Sequence, residues 1–199
     1  MMYVHFEKLV NIANNAKNLN DKIQLKSDIY QYRHQILSQF AINNDLLMPV
    51  YDQQMNGKPV VVNSHLVFNQ SHDDDNYALV LSLDVHEIGV DIECVNRVVN
   101  AKRLAERFFH ADEYALWQER GCGRELWFKI WTIKEAVLKA NGLGIRLNLN
   151  ELNAKFTNNN QGVVHHKKIG CYRFECIALD HHVMTIAYAS DDWQAWQFY

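Results

Sequence analysis

The chain has 199 residues, 48% hydrophobic and 12% aromatic, which is enough to bury a sizeable core as one large domain or two small lobes. Its formal charge of −3 gives no general case for nucleic acid or an anionic membrane as partner, and no apolar run approaches the ~18 residues a bilayer span needs. Cys94, Cys122, Cys171 and Cys176 lack Cys-x-x-Cys spacing, and the start lacks a basic region followed by an apolar one, so a cytoplasmic protein with free thiols is expected.

Residues 3–10 alternate weakly, as an edge strand would. Ile29, Tyr32, Ile36 and Phe40 recur at helical spacing over 28–40, with Ser27 or Asp28 as cap. Residues 42–59 are turn-like. Short strands are predicted at 60–62 and 65–68, with 69–72 a loop leading into Asp73-Asp74-Asp75. The run 77–83 is a buried strand, and 88–93 returns after a turn as its hairpin partner. The reading then changes to helices: 101–109, a second opened by His110-Ala111-Asp112-Glu113, and a third from about Arg124 to Gly142. Beyond Gly144, Ile145, Leu147, Leu149 and Leu152 alternate with polar residues as a strand would, and 163–164, 172–179 and 183–189 form a meander. The pattern suits an α+β protein with a break near 94–100, dividing it into 1–96 and 97–199.

Two stretches carry chemistry. In Gly89-Val90-Asp91-Ile92-Glu93 the apolar residues Ile88, Val90 and Ile92 share one face, leaving Asp91 and Glu93 on the other. Their Cα atoms then lie about 6.6 Å apart, a spacing that lets both carboxylates reach one hard cation. In the third helix Leu126, Ile130, Ile133, Val137 and Ala140 form a core-facing stripe, and Glu135 and Lys139 are neighbours four apart. Lys134 falls between Ile130 and Leu138, where it must snorkel out or meet an anion. The soft thiol of Cys94 does not suit the carboxylate pair. His165-His166 and His181-His182 would point to opposite faces of a strand, which argues against a histidine metal site.

Gly-Val-Asp-Ile-Glu, Phe109-His110-Ala111-Asp112-Glu113 and Trp131-Thr132-Ile133-Lys134-Glu135-Ala136-Val137-Leu138-Lys139, in this order, resemble the 4′-phosphopantetheinyl transferase superfamily. Gly57-Lys58-Pro59 and Phe68-Asn69-Gln70-Ser71-His72 resemble its larger, two-lobed type. The resemblance implies a pseudo-dimer of two similar lobes. The implied activity moves 4′-phosphopantetheine from coenzyme A to a serine of an apo acyl, peptidyl or polyketide carrier protein, releasing 3′,5′-ADP. It implies a magnesium ion, with manganese as the alternative, on Asp91, Glu93 and Glu135. Lys139 takes a catalytic role, and Lys134 and Lys139 hold pyrophosphate oxygens. Lys58, Ser71 and His72 serve the phosphates of coenzyme A.

Glu135 is the first candidate for the serine's proton and Glu113 the second, although Glu113 also fits the slot of a capping glutamate. Arg33 is either a contact to the nucleotide end or a solvated arginine. Asp73 departs from the family pattern, since an acid beside a phosphate site repels it. Lys102, Arg103, Arg107, Arg120 and Arg124 are candidates to steer an acidic carrier, or simply the charged outer faces of helices. A monomer is expected. The rival readings are a non-catalytic coenzyme A-binding module and a metal-dependent phosphohydrolase.

Overall fold

The computed structural model describes residues 2–13 and 21–190, the Ile145 side chain excepted. Two antiparallel sheets organise it. The first has three strands in the order β1 (Met2–Lys8), β5 (Asn76–Ser82), β4 (Val67–His72). The second has five, in the order β6 (Ile88–Cys94), β10 (His182–Ala189), β9 (Gly170–Leu179), β8 (Gln161–His166), β7 (Ala154–Phe156). A small hairpin, β2 (Tyr51–Gln53) with β3 (Pro59–Val61), stands apart. Five α-helices complete the described residues: α1 (Leu9–Ile12), α2 (Lys22–Asn43), α3 (Ala101–Phe108), α4 (Ala111–Glu119) and α5 (Arg124–Asn141). None is long and apolar enough to cross a membrane.

The strand 88–93 does not return beside 77–83 as a hairpin. It pairs with β10, with Asp91 opposite Thr185 and Glu93 opposite Val183. β5 is buried throughout and β6 from Ile88 to Ile92, so neither carries the in-and-out alternation that names a partner. By sheet membership β6 belongs with the C-terminal half. The two sheets meet through Ala78 and Val80 of β5 against Ile88, Val90 and Ile92 of β6, backed by Met184 and Ile186.

Helix α2 covers the first sheet, burying Ile29 and Leu37 against Phe68, Tyr77, Leu79 and Leu81. It starts earlier than the 28–40 reading, because Asp21 rather than Ser27 or Asp28 caps it, accepting from Ile23 and Gln24 N–H at 3.0 and 3.1 Å. The segment beyond Gly144 forms two short 3₁₀ turns (Gly144–Arg146 and Leu149–Glu151) rather than a strand.

Helix α5 is the centre of the C-terminal half. Eleven of its 18 residues are buried, so it is a core helix rather than one with a single apolar stripe. One side (Ile133, Val137) packs on Val164, Tyr172, Phe174 and Ala187 of the second sheet. The other side (Trp127, Ile130) packs on Ala105, Phe109 and Trp117 of α3 and α4. Gly142 ends it at φ +80°, with its N–H on the Leu138 carbonyl at 2.9 Å. The mixed α+β class expected from the sequence is the observed one.

Candidate active site

Strand β6 and helix α5 lie closer than ordinary side chains permit. A Cβ on Gly89 would stand 2.0 Å from the Ala136 carbonyl oxygen and 2.5 Å from the Ala140 nitrogen. Only glycine fits there. This contact brings the acidic face of β6 beneath Glu135 and Lys139.

Asp91 is 6% exposed. Its Oδ1 accepts from Lys139 Nζ at 2.7 Å and from Ser71 Oγ at 3.0 Å, and Lys139 Nζ also donates to Ser71 Oγ at 2.8 Å. The trio joins α5, β6 and β4, hence both sheets. Asp91 Oδ2 is buried and has no hydrogen-bond partner. Burial and the Asp91 charge push Glu93 up to about 7, opposed by Arg97, whose guanidinium stands 3.0 Å from it. Burial, then the same Asp91 charge, raises Glu135. These carboxylates carry more negative charge than Lys139 and Arg97 relieve.

The chemistry of this donor set fits a hard divalent cation: all oxygen, two acids held above their ordinary values, and one buried carboxylate oxygen without a donor. Among the described residues no three metal-binding side chains stand ready in one cluster, and the Lys139 ammonium itself occupies one oxygen of Asp91.

A cavity of about 320 Å³ opens beside the trio. It runs from Gly57, Lys58 and Pro59 past Asn69 and Gln70 to Glu135 and Lys139. Burial pulls Lys58 down to about 8, and its Nζ donates to the carbonyls of Ala140 at 2.5 Å and Ile88 at 3.3 Å. A larger cavity, about 750 Å³, lies among α4, the start of α5 and β7, away from these carboxylates. The trio, not the volume, marks the chemical centre.

Ser71 and His72 sit on strand β4 rather than in a loop, with Ser71 opposite Ala78 and His72 opposite Tyr77. Their polarity reads as loop, yet strand alternation turns Asn69 and Ser71 towards β6, where Asn69 Oδ1 accepts from the Val90 N–H at 3.2 Å. His72, at the end of the strand, is exposed. Arg33 is buried rather than solvated, 6% exposed, with its guanidinium carbon 5.0 Å from the Tyr30 ring centroid and 5.4 Å from that of Phe68. Its Nε has no partner.

Lys134 and Glu113 lie elsewhere. Lys134 Nζ directs its three donors to Glu113 Oε2 at 2.7 Å and to the carbonyls of Leu149 and Leu152 at 2.8 and 2.5 Å. Glu113 accepts from the His110 and Ala154 N–H groups at 2.8 and 2.7 Å, closing the capping box of α4. Both side chains are shut away from solvent, at 0% and 1% exposure. The lysine between two apolar neighbours thus meets its anion inside the fold, with no donor left for a phosphate. Sequence reasoning singled out neither Gly89 nor Arg97; the first carried its signal in the unsubstituted Cα before Val90, the second only in lying four residues after Glu93.

The sequence profile of the 4′-phosphopantetheinyl transferase superfamily matches residues 87–187. The chain is 33% identical over 135 residues to the 4′-phosphopantetheinyl transferase psf-1 of Bacillus pumilus, covering 66% of this chain and 55% of that protein. It is 29% identical over 147 residues to the transferase gsp of Aneurinibacillus migulanus, covering 73% and 56%. Over 96 residues it is 40% identical to the transferase AcpT of Salmonella typhi, covering 47% and 48%. The chain thus spans about half the length of the curated relatives it matches. Among solved structures it is similar to the Thermotoga maritima holo-[acyl-carrier-protein] synthase, with 24% identity and a TM-score of 0.45 over 52% of this chain and 62% of that one. The profile takes in β6, α5 and most of β10, the elements that carry Asp91, Glu93, Glu135 and Lys139, and the chain belongs to the 4′-phosphopantetheinyl transferase superfamily.

Proposed function

We propose that this chain transfers 4′-phosphopantetheine from coenzyme A to a serine hydroxyl of an apo carrier protein, with 3′,5′-ADP as the leaving group. The observation that carries the reading is the Lys139–Asp91–Ser71 trio at one end of a cavity bounded by Lys58, with an unpartnered carboxylate oxygen beside it. In this reading the sheet-and-helix halves are two lobes, and the cleft between them receives coenzyme A.

The serine oxygen forms a bond to the β-phosphorus of coenzyme A, the bond from that phosphorus to the bridging oxygen breaks, and the serine's proton passes to an acceptor. Glu135 is that acceptor in our reading, since burial raises its affinity for protons. Lys139 meets pyrophosphate oxygens as a point charge. Lys58, with two donors on carbonyls, keeps one for a phosphate, and His72 faces solvent where a second would lie. Asp91, Glu93 and Glu135 would hold a magnesium ion, or manganese in its place. Bound there, such an ion neutralises charge on the pyrophosphate. Arg33 would reach the nucleotide end only by turning out from Tyr30 and Phe68, against which it is buried. Glu113 and Lys134 act on the framework. A monomer in the cytoplasm completes the reading.

The test is intact-mass spectrometry of apo acyl, peptidyl and polyketide carrier proteins incubated with this protein, coenzyme A and magnesium. A mass gain of one phosphopantetheine, lost with EDTA and in Glu135→Ala, is expected. Tight coenzyme A binding without transfer to any carrier would make the chain a binding module instead. Release of 3′,5′-ADP without any acceptor would make it a phosphohydrolase.

A further inference from the structure

We propose that Asp73 and His182 form a latch between the β4–β5 turn and strand β10, and that this latch positions His72 for the phosphate end of coenzyme A. The inference rests on the transferase reading.

Asp73 follows His72 directly, where a free acid would repel a phosphate. Its side chain is turned inward instead and is 9% exposed. Oδ1 accepts from the Asp75 and Asn76 N–H groups at 2.9 and 2.8 Å, which fixes the turn. Oδ2 is buried and accepts no hydrogen bond as placed, while the His182 ring nitrogen Nε2 stands 3.1 Å from it, at ion-pair distance. The same Nε2 lies 2.9 Å from the Asn76 amide nitrogen. A ring carrying its proton on Nε2 donates to Asp73; a ring without it there accepts from Asn76 and leaves Asp73 Oδ2 unserved. In the first state the Asn76 amide gives up the ring and keeps Asp73 Oδ1, 3.4 Å away, as its acceptor.

The pair crosses from one sheet to the other. Asp73 closes the turn of the first sheet, while His182 opens β10 opposite Cys94, one residue beyond Glu93. His72 is anchored through its neighbour, so the latch fixes the turn's distance from the acidic strand. It also aims the Asp73 charge at His182 and away from the solvent that His72 faces.

Bare repulsion and the latch predict opposite signs, which makes the experiment decisive. Transfer kinetics with coenzyme A varied would be measured for wild type, Asp73→Asn, His182→Ala and His182→Gln. Loss of the latch should raise KM for coenzyme A about fivefold in Asp73→Asn and His182→Ala, the scale of one hydrogen bond, with kcat nearly unchanged. His182→Gln, whose amide can donate to Asp73, should recover most of it. A lower KM in Asp73→Asn, or equal KM values in His182→Ala and His182→Gln, would overturn the proposal. Urea unfolding of Asp73→Asn, His182→Ala and the double variant reads the contact without activity. A wild type that transfers nothing defeats the transferase reading alone, and the cycle still decides the latch: non-additive losses support it and additive losses overturn it.

Discussion

Lys134 and Glu113 belong to the motifs by sequence and to the framework by position. Deleting one member of a buried pair strands the other's charge, so Lys134→Met should lower unfolding free energy by about 3–5 kcal/mol in urea titrations. Adding Glu113→Gln should restore most of that loss while phosphopantetheine transfer persists. A folded double variant without transfer would return Glu113 to the chemistry. The carboxylates also set a pH dependence. Glu93 is held up to about 7 by burial and the Asp91 charge, so the folded protein keeps a proton that the unfolded chain has already lost. Stability of the metal-free protein is therefore fullest below the ordinary glutamate range and falls as pH rises towards about 7. One such proton limits the slope to about 1.4 kcal/mol per pH unit. Melting temperatures in EDTA should decline from pH 4.5 to 7.5, and Glu93→Gln or added magnesium should flatten the decline. The sequence alone made Asp91, Glu93, Glu135 and Lys139 legible as local spacings. It also said that Lys134 needs an anion, but the partner lay 21 residues upstream on another helix, beyond any local pattern.

Among the elements, the contact of β6 with α5 controls the site. Gly89→Ala would drive a methyl into the Ala136 carbonyl and the Ala140 amide, both backbone and neither able to rotate away. The helix must lift, carrying Glu135 and Lys139 off the acidic strand. We expect a loss of about 1–3 kcal/mol in urea unfolding, together with a larger fractional loss of transfer than of stability. A variant that melts early yet transfers normally would show that the site tolerates the shift. Periodicity placed α3, α4 and α5 within a residue or two, because helices announce themselves through caps such as the His110–Glu113 box. It missed β2 and β7, three residues each, too short for alternation to register. The loop reading of 69–72 failed because Asn69 and Ser71 face β6 across the sheets, not water.

In the molecule as a whole, the pairing of β6 with β10 joins residues some ninety positions apart, and nothing local in two strands buried along most of their length foretells it. The halves are also stitched at the end of α5. Asn56 donates to the Gly142 carbonyl at 2.7 Å and Lys58 to that of Ala140, so the turn of the β2–β3 hairpin serves carbonyls that the last helical turn cannot satisfy itself. The span matched by the superfamily profile, 87–187, begins after both of these residues. The last turn of the central helix in that stretch therefore leans on donors that lie outside it, and a fragment cut to 87–187 would leave the Ala140 and Gly142 carbonyls without them.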